Sequence, residues 1–134
     1  MSQADVEIVR GGFDVFNRGE DFDRWVSEFL DPEIEYHTSV EDPDAAIHHG
    51  HEGYRRYVEQ WQESFDDLHA DVEEYIAVGD DRVFTWVRWT GLGRGSGVRA
   101  DWHLAMIYTF RNGKVVRGAE YFDHAEALKA VGLS

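Results

Sequence analysis

The chain has no cysteine. That excludes a disulfide framework and a thiol nucleophile. Lysine is nearly missing: of 13 basic residues, 11 are arginine, and only Lys114 and Lys129 are lysine. Against 27 acidic residues, this leaves a formal net charge of -14. A surface of that sign repels phosphate backbones, so nucleic acid is not an expected partner. Abundant Asp and Glu with so little Lys fits a salty cytoplasm, where salt screens self-repulsion; an ordinary acidic protein fits as well. No apolar run is long enough to span a bilayer. The opening MSQADVEIVR lacks a basic start followed by an apolar stretch, so no signal peptide is expected. The expectation is a cytoplasmic protein with no membrane partner. Ser39, Ser64 and Ser96 have no elbow or triad context, and nothing points to a nucleotide or redox cofactor.

The chain does have apolar side chains, 43% of its 134 residues, with 14% aromatic. This supports one domain over 1–134, burying roughly two-thirds of its unfolded surface, with aromatics to spare for a cavity. Val6, Val9, Phe13 and Phe16 recur at helical spacing until Asn17-Arg18-Gly19. Phe22, Trp25, Val26, Phe29 and Leu30 mark a second helix, stopped by Asp31-Pro32. A short strand over 34–38 and a loop over 39–50 precede a third helix over 52–65, whose apolar face holds Tyr54, Tyr57, Val58, Trp61 and Phe65. The period then changes to two. Strands are predicted over 68–78, 83–90, 98–110 and 114–122, with hairpin signals at Gly79-Asp80-Asp81 and Asn112-Gly113. A C-terminal helix over 124–131 closes an α+β chain.

The last strand holds the most informative residue. Its alternation puts Glu120 on one face with Val116, Gly118 and Phe122. If that face points inward, Glu120 has few polar neighbours. A carboxyl held there is costly to ionise and becomes a candidate proton carrier.

The order of elements resembles the nuclear transport factor two-like superfamily, and within it the SnoaL-like group related to ketosteroid isomerases. The resemblance is carried by Phe13-Asp14-Val15-Phe16-Asn17-Arg18-Gly19, Asp31-Pro32-Glu33-Ile34-Glu35-Tyr36 and His49-Gly50-His51-Glu52-Gly53-Tyr54. Further along it includes residues 108–115, Glu120-Tyr121-Phe122-Asp123 and residues 126–133. It implies a cone: a curved antiparallel sheet wrapped around the N-terminal helices, enclosing a pocket. It also implies a homodimer formed through the sheet's outer face. Glu120 falls at a pocket-lining position that is a catalytic aspartate in epoxide hydrolases of this fold. His37, or Tyr36 if the short strand is shifted by one, falls where the isomerases place their proton-abstracting aspartate. Phe84, Trp86 and Arg88 on one strand, and Trp102, Leu104 and Met106 on the next, fall on inward faces, with Tyr57 and Trp61 closing the pocket. Gly12 and Met106 stand where the isomerases carry their oxyanion-hole tyrosine and acid, so steroid isomerisation is not expected. Trp89 and Thr90 stand near the epoxide hydrolases' second aspartate.

The expected site is therefore Glu120, His37 and Arg88 as chemical groups. Tyr36, Tyr57, Trp61, Phe84, Trp86, Trp102, Leu104, Met106 and Phe122 would bind substrate. Glu120 is either a general acid or base, or a carboxylate neutralised by Arg88. Arg88 is either an anchor for an anionic group or that structural partner. His37 is either a proton shuttle or a hydrogen-bonded strand-end histidine. His48, His49 and His51, with Asp42, Asp44 and Glu52 nearby, have the residue types of a metal site, but adjacent loop residues diverge, so no metal is expected. The Gly91–Gly97 segment joins two strands rather than leading into a helix, so it reads as a hairpin or lid and not as a phosphate cradle. The leading function is a cofactor-independent enzyme moving protons on a small apolar or polycyclic molecule by isomerisation, cyclisation or hydrolysis. The alternatives are a ligand-binding protein with the same pocket and no chemistry, or an interaction module using the outer sheet face.

Overall fold

Three helices precede the long strands, as the periodicity predicts. The computed structural model describes residues 2–39 and 46–133. Asp42 and Asp44 lie outside the described residues. Ser2–Arg18 (α1) ends where Gly19, at φ 74°, returns its N–H to the Val15 and Phe16 carbonyls, both 3.1 Å away. Phe22–Phe29 (α2) buries Trp25 and Val26. Leu30–His37 (β1) starts earlier than predicted, directly after α2. Ile47–His49 (β2), a strand not foreseen, leads into Gly50–Ser64 (α3). Four long strands follow: Phe65–Val78 (β3), Arg82–Gly93 (β4), Arg99–Arg111 (β5) and Lys114–Tyr121 (β6). His124–Ala130 (α4) completes the chain, its N-terminus capped by Asp123, which accepts from the Glu126 N–H at 2.9 Å. Among the described residues no helix is long and apolar enough to cross a membrane.

The six strands form one curved, unclosed sheet in the order β2-β1-β6-β5-β4-β3. Neighbours are antiparallel except β1 and β6, which run parallel. The meander of consecutive hairpins was readable from the turns. The parallel pair was not, because β1 and β6 are joined by everything between them. The β5–β6 turn has Asn112 and Gly113 both at positive φ, as a two-residue hairpin requires.

Two apolar clusters cover the sheet's two faces. The larger one packs α1, α2 and α3 into the concave face, around Val9, Phe13, Trp25, Tyr36, Val87, Leu104 and Tyr108. The smaller lies on the outer face under α4 and contains Val78, Phe84, Ala105 and Ile107, with Trp86 against it. Gly12 has no side chain because α2 crosses α1 there: a Cβ would stand 2.5 Å from Trp25 Cζ2. Trp25 is also tied to α1 by its indole N–H, which donates to the Ile8 carbonyl at 3.0 Å.

Candidate functional site: a buried carboxylate at the end of an aromatic cavity

The strand that carries Glu120 changes phase within its length. Phe110 pairs with Val115 but Thr109 with Arg117, so Val116 is an extra, bulged residue. Val115 therefore points into the main core, and two residues past the bulge Gly118 and Glu120 point the same way. Glu120 is 3% exposed. Gly118 pairs with Tyr36 across the parallel β1–β6 seam. Lacking a side chain, it lets the Tyr36 ring lie across β6; a Cβ would stand 2.6 Å from Tyr36 Cε2.

Tyr36 is thereby aimed at its neighbour. Its hydroxyl donates to Glu120 Oε2 at 2.6 Å. Tyr57 approaches from α3, its hydroxyl 2.9 Å from both carboxylate oxygens. The Ser39 backbone N–H supplies a further contact. Burial pushes the Glu120 carboxyl above its ordinary range, while the Tyr36, Tyr57 and Ser39 donors pull against that shift. The two phenols shift the same way. Burial, then the neighbouring Glu120 charge, raises both Tyr36 and Tyr57, so they remain neutral donors. The arrangement holds an acid in low dielectric with two hydroxyls ready to support its anion, which suits a group that takes up and releases a proton.

The carboxylate borders a cavity of about 60 Å³. Of the 18 described residues lining it, 11 are aromatic, Glu120 alone is acidic, and none is Lys, Arg or His. Trp61 and Trp102 lie nearly parallel at 5.5 Å and 22°, and Trp102 and Trp89 at 6.5 Å and 16°. His48 stacks on Tyr57 at 4.6 Å, and burial followed by the nearby His49 lowers its pKa. Such a lining favours a flat, uncharged ligand.

The structure brings Glu120, Tyr36, Tyr57, Trp61, Trp102, Leu104 and Met106 to this cavity. Other expected site residues are elsewhere. His37 faces away from Glu120, because Tyr36 takes the inward place on β1; its Nε2 lies 3.2 Å from Glu35 Oε1. Arg88 does not pair with Glu120. It is on the outer face, bidentate to Asp101, with its Nε 2.9 Å from Oδ1. Phe84 and Trp86 share that face under α4. The physical reason is register. β4 pairs Trp89 with Trp102, Val87 with Leu104 and Thr85 with Met106, so these share the inward face and the alternate set points out. Arg88 itself was the available signal, since a charge sits more cheaply on the wetter face. Phe122 lies beyond the end of β6 and is 54% exposed. Sequence reasoning missed Phe13, Phe16, Phe22, Trp25, Tyr54, Trp89 and Tyr108 as cavity walls. The three clustered histidines diverge: His48 lies against Tyr57, His49 is exposed, and His51 Nε2 donates to the Leu30 carbonyl at 2.7 Å. Among the described residues no group of three His, Cys, Asp or Glu side chains could hold a metal ion.

A family profile described as the SnoaL-like domain matches residues 9–118. The chain belongs to the SnoaL-like family. Solved structures share the fold of this SnoaL-like protein over nearly its whole length. A protein of Jannaschia sp. CCS1 described as a SnoaL-like polyketide cyclase is 21% identical with a TM-score of 0.79, covering 98% of this chain and 94% of its own. Bal32a, from a soil-derived mobile gene cassette, is 26% identical at 0.78, covering 97% of each. TerC, co-crystallised with polyporic acid, is 17% identical at 0.74, covering 96% of this chain and 97% of its own. No curated protein matches this SnoaL-like sequence.

Proposed function

We propose that this SnoaL-like protein is a cofactor-independent enzyme that moves a proton on a flat, apolar or polycyclic small molecule, with Glu120 as the acid or base. The observation that carries the reading is the placement of Glu120: an acid 3% exposed, at the wall of an aromatic cavity, held by two tyrosine hydroxyls. Its ionised form would abstract a proton from a carbon next to a carbonyl, and its protonated form would return that proton to another atom of the same molecule. That sequence serves isomerisation and ring closure alike. Tyr36 and Tyr57 support the Glu120 anion before the first step and after the second. The cyclase description of the Jannaschia protein and the polyporic acid in TerC point the same way.

Deuterium uptake at the α-carbon of 1-tetralone in D2O, followed by proton NMR, tests the reading. Wild type is expected to accelerate exchange over buffer, and Glu120→Gln to lose about 10²–10⁴-fold of that acceleration with an unchanged circular dichroism spectrum. Exchange by the Gln variant at the wild-type rate would remove Glu120 from the chemistry. A second reading, a binding protein without turnover, is favoured by one observation: Tyr36, Tyr57 and the Ser39 N–H already occupy much of the carboxylate. It would be supported by wild type that binds 1-tetralone without exchanging it.

A further inference from the structure

Tyr57 serves Glu120 only while its ring is held. Its hydroxyl lies 2.9 Å from both carboxylate oxygens, and a hydrogen bond weakens steeply as its geometry drifts. Two rings form the floor on which Tyr57 rests. Tyr36 lies 5.5 Å away, tilted by 39°, and His48 lies 4.6 Å away, stacked at 29°. Register sets these two side by side. Tyr36 and His48 are directly opposite on the antiparallel β1–β2 pair, so their side chains share one face of the sheet. The chain then turns back sharply. Gly50 opens α3 at φ 70°, a conformation that glycine adopts without strain. Gly53 lets the first turn of α3 lie on the His48 backbone, where an added Cβ would stand 3.5 Å from the His48 carbonyl carbon. Tyr57 follows Gly53 by four residues and so occupies the same face of the helix.

We infer that His48 is a positioning residue: its imidazole, stacked on the Tyr57 ring, keeps the Tyr57 hydroxyl on the Glu120 carboxylate and so sets how readily Glu120 gives up its proton. The inference rests on the proposed reading of Glu120 as the acid or base and adds the device that tunes it. His48 acts as a flat wall and not as a charge. Burial followed by the nearby His49 lowers its pKa, so near neutral pH the ring is uncharged and contributes packing alone. Charged and titratable side chains on the elements packed against it are engaged elsewhere. Glu35 of β1 meets His37, while from α3 Glu52 meets Arg56, Arg55 meets Asp23 and His51 donates to the Leu30 carbonyl. The groups that face Glu120 are neutral too. They are Tyr36 from β1, Tyr54 and Tyr57 from α3 and Tyr108 from β5, while α1 presents Val9 and Phe13. The acidity of Glu120 is therefore a balance of burial against hydrogen-bond donors. Tyr57 is one of those donors, and His48 holds it in place.

The test reads Glu120 directly. Glutamate is labelled with carbon-13 at Cδ, the Glu120 signal is identified by its loss in Glu120→Gln, and its titration is followed by NMR. His48→Ala should raise the Glu120 pKa by about one pH unit, as the loss of one hydrogen bond to a charged group does. Tyr57→Phe should raise it similarly, and His48→Ala should then add nothing in the Tyr57→Phe background. His48→Phe keeps a stacked ring and should titrate like wild type. An unmoved titration in His48→Ala would overturn the inference. So would a shift that persists in full without the Tyr57 hydroxyl, or one as large in His48→Phe as in His48→Ala. If the Ala variant does not fold, His48→Thr, a better strand former without a ring, takes its place with the same expectations. The titration needs no turnover, which keeps the two proposals apart. Wild type that fails to exchange 1-tetralone would count against the enzyme reading and leave the Glu120 shift in His48→Ala standing. Where exchange occurs, its acid limb should move up in His48→Ala together with the Glu120 titration.

Discussion

At the scale of single residues, the chemistry reduces to the one proton that Glu120 takes up and releases. Burial raises the folded-state pKa of Glu120 above the ordinary 4.5. The folded protein therefore holds that proton more tightly than the unfolded chain does. The group's contribution to stability is fully present below pH 4.5 and is lost as pH rises through the folded value. Glu120→Gln cannot ionise and escapes that loss. Its melting temperature relative to wild type should thus shift in the variant's favour as pH climbs from 4.5 toward neutrality; a difference flat with pH would mean that the carboxyl is not perturbed. The tyrosines work against burial. Tyr36→Phe removes a donor that lowers the carboxyl, so the acid limb of the 1-tetralone exchange profile should move to higher pH. A limb that stays in place would show that Tyr36 shapes the cavity without tuning the acid.

At the scale of elements, the site depends on where strands cross without side chains. Gly118→Ala would set a methyl group 2.6 Å from Tyr36 Cε2, and the backbone on both sides is fixed by pairing. A loss of about 1–3 kcal/mol is expected, read by chemical denaturation, together with weakened exchange as Tyr36 leaves Glu120. Wild-type stability in this variant would mean that the seam yields more readily than a close-packed core does. The helices, the meander and the inward Glu120 were legible because each rests on a local pattern: helical spacing in Val9-Phe13-Phe16, turn chemistry at Asn112-Gly113, alternation around Glu120. The phase of β4 was marked only by Arg88. Both of its faces carry bulky apolar groups, Val83 and Val87 on one and Phe84 and Trp86 on the other, and the irregular turn before β5 leaves register free. The choice was made by pairing with β5, a contact that alternation within β4 cannot report. The same is true of β1, where one residue of phase separates Tyr36 in the cavity from His37 outside it.

At the scale of the whole molecule, charge and surface set the behaviour. With a net charge of -14, self-repulsion opposes the compact state at low ionic strength and is screened within about 8 Å at 0.15 M salt. The melting temperature is expected to rise as KCl is taken toward molar levels; a fall would reject the salty-cytoplasm reading of the composition. We also propose a homodimer through the outer sheet face, where Trp86 stacks on His103 at 5.1 Å. Sedimentation across the same salt series should show a dimer that tightens as repulsion is screened, and a monomer at every salt concentration would exclude it.

The parallel seam between β1 and β6 has a consequence for how the molecule comes into being. Tyr36 and Glu120 are 84 residues apart in sequence, and they meet only across that seam. During synthesis β1 emerges early and can pair with β2 soon afterwards, while its other edge waits for nearly all the rest of the chain. Contacts so distant in sequence are slow to close. The acid and its phenol therefore come together late, after the meander has formed. In refolding, capture of 1-tetralone should appear with the slowest structural phase, so that an incompletely folded chain has aromatic walls but no working acid.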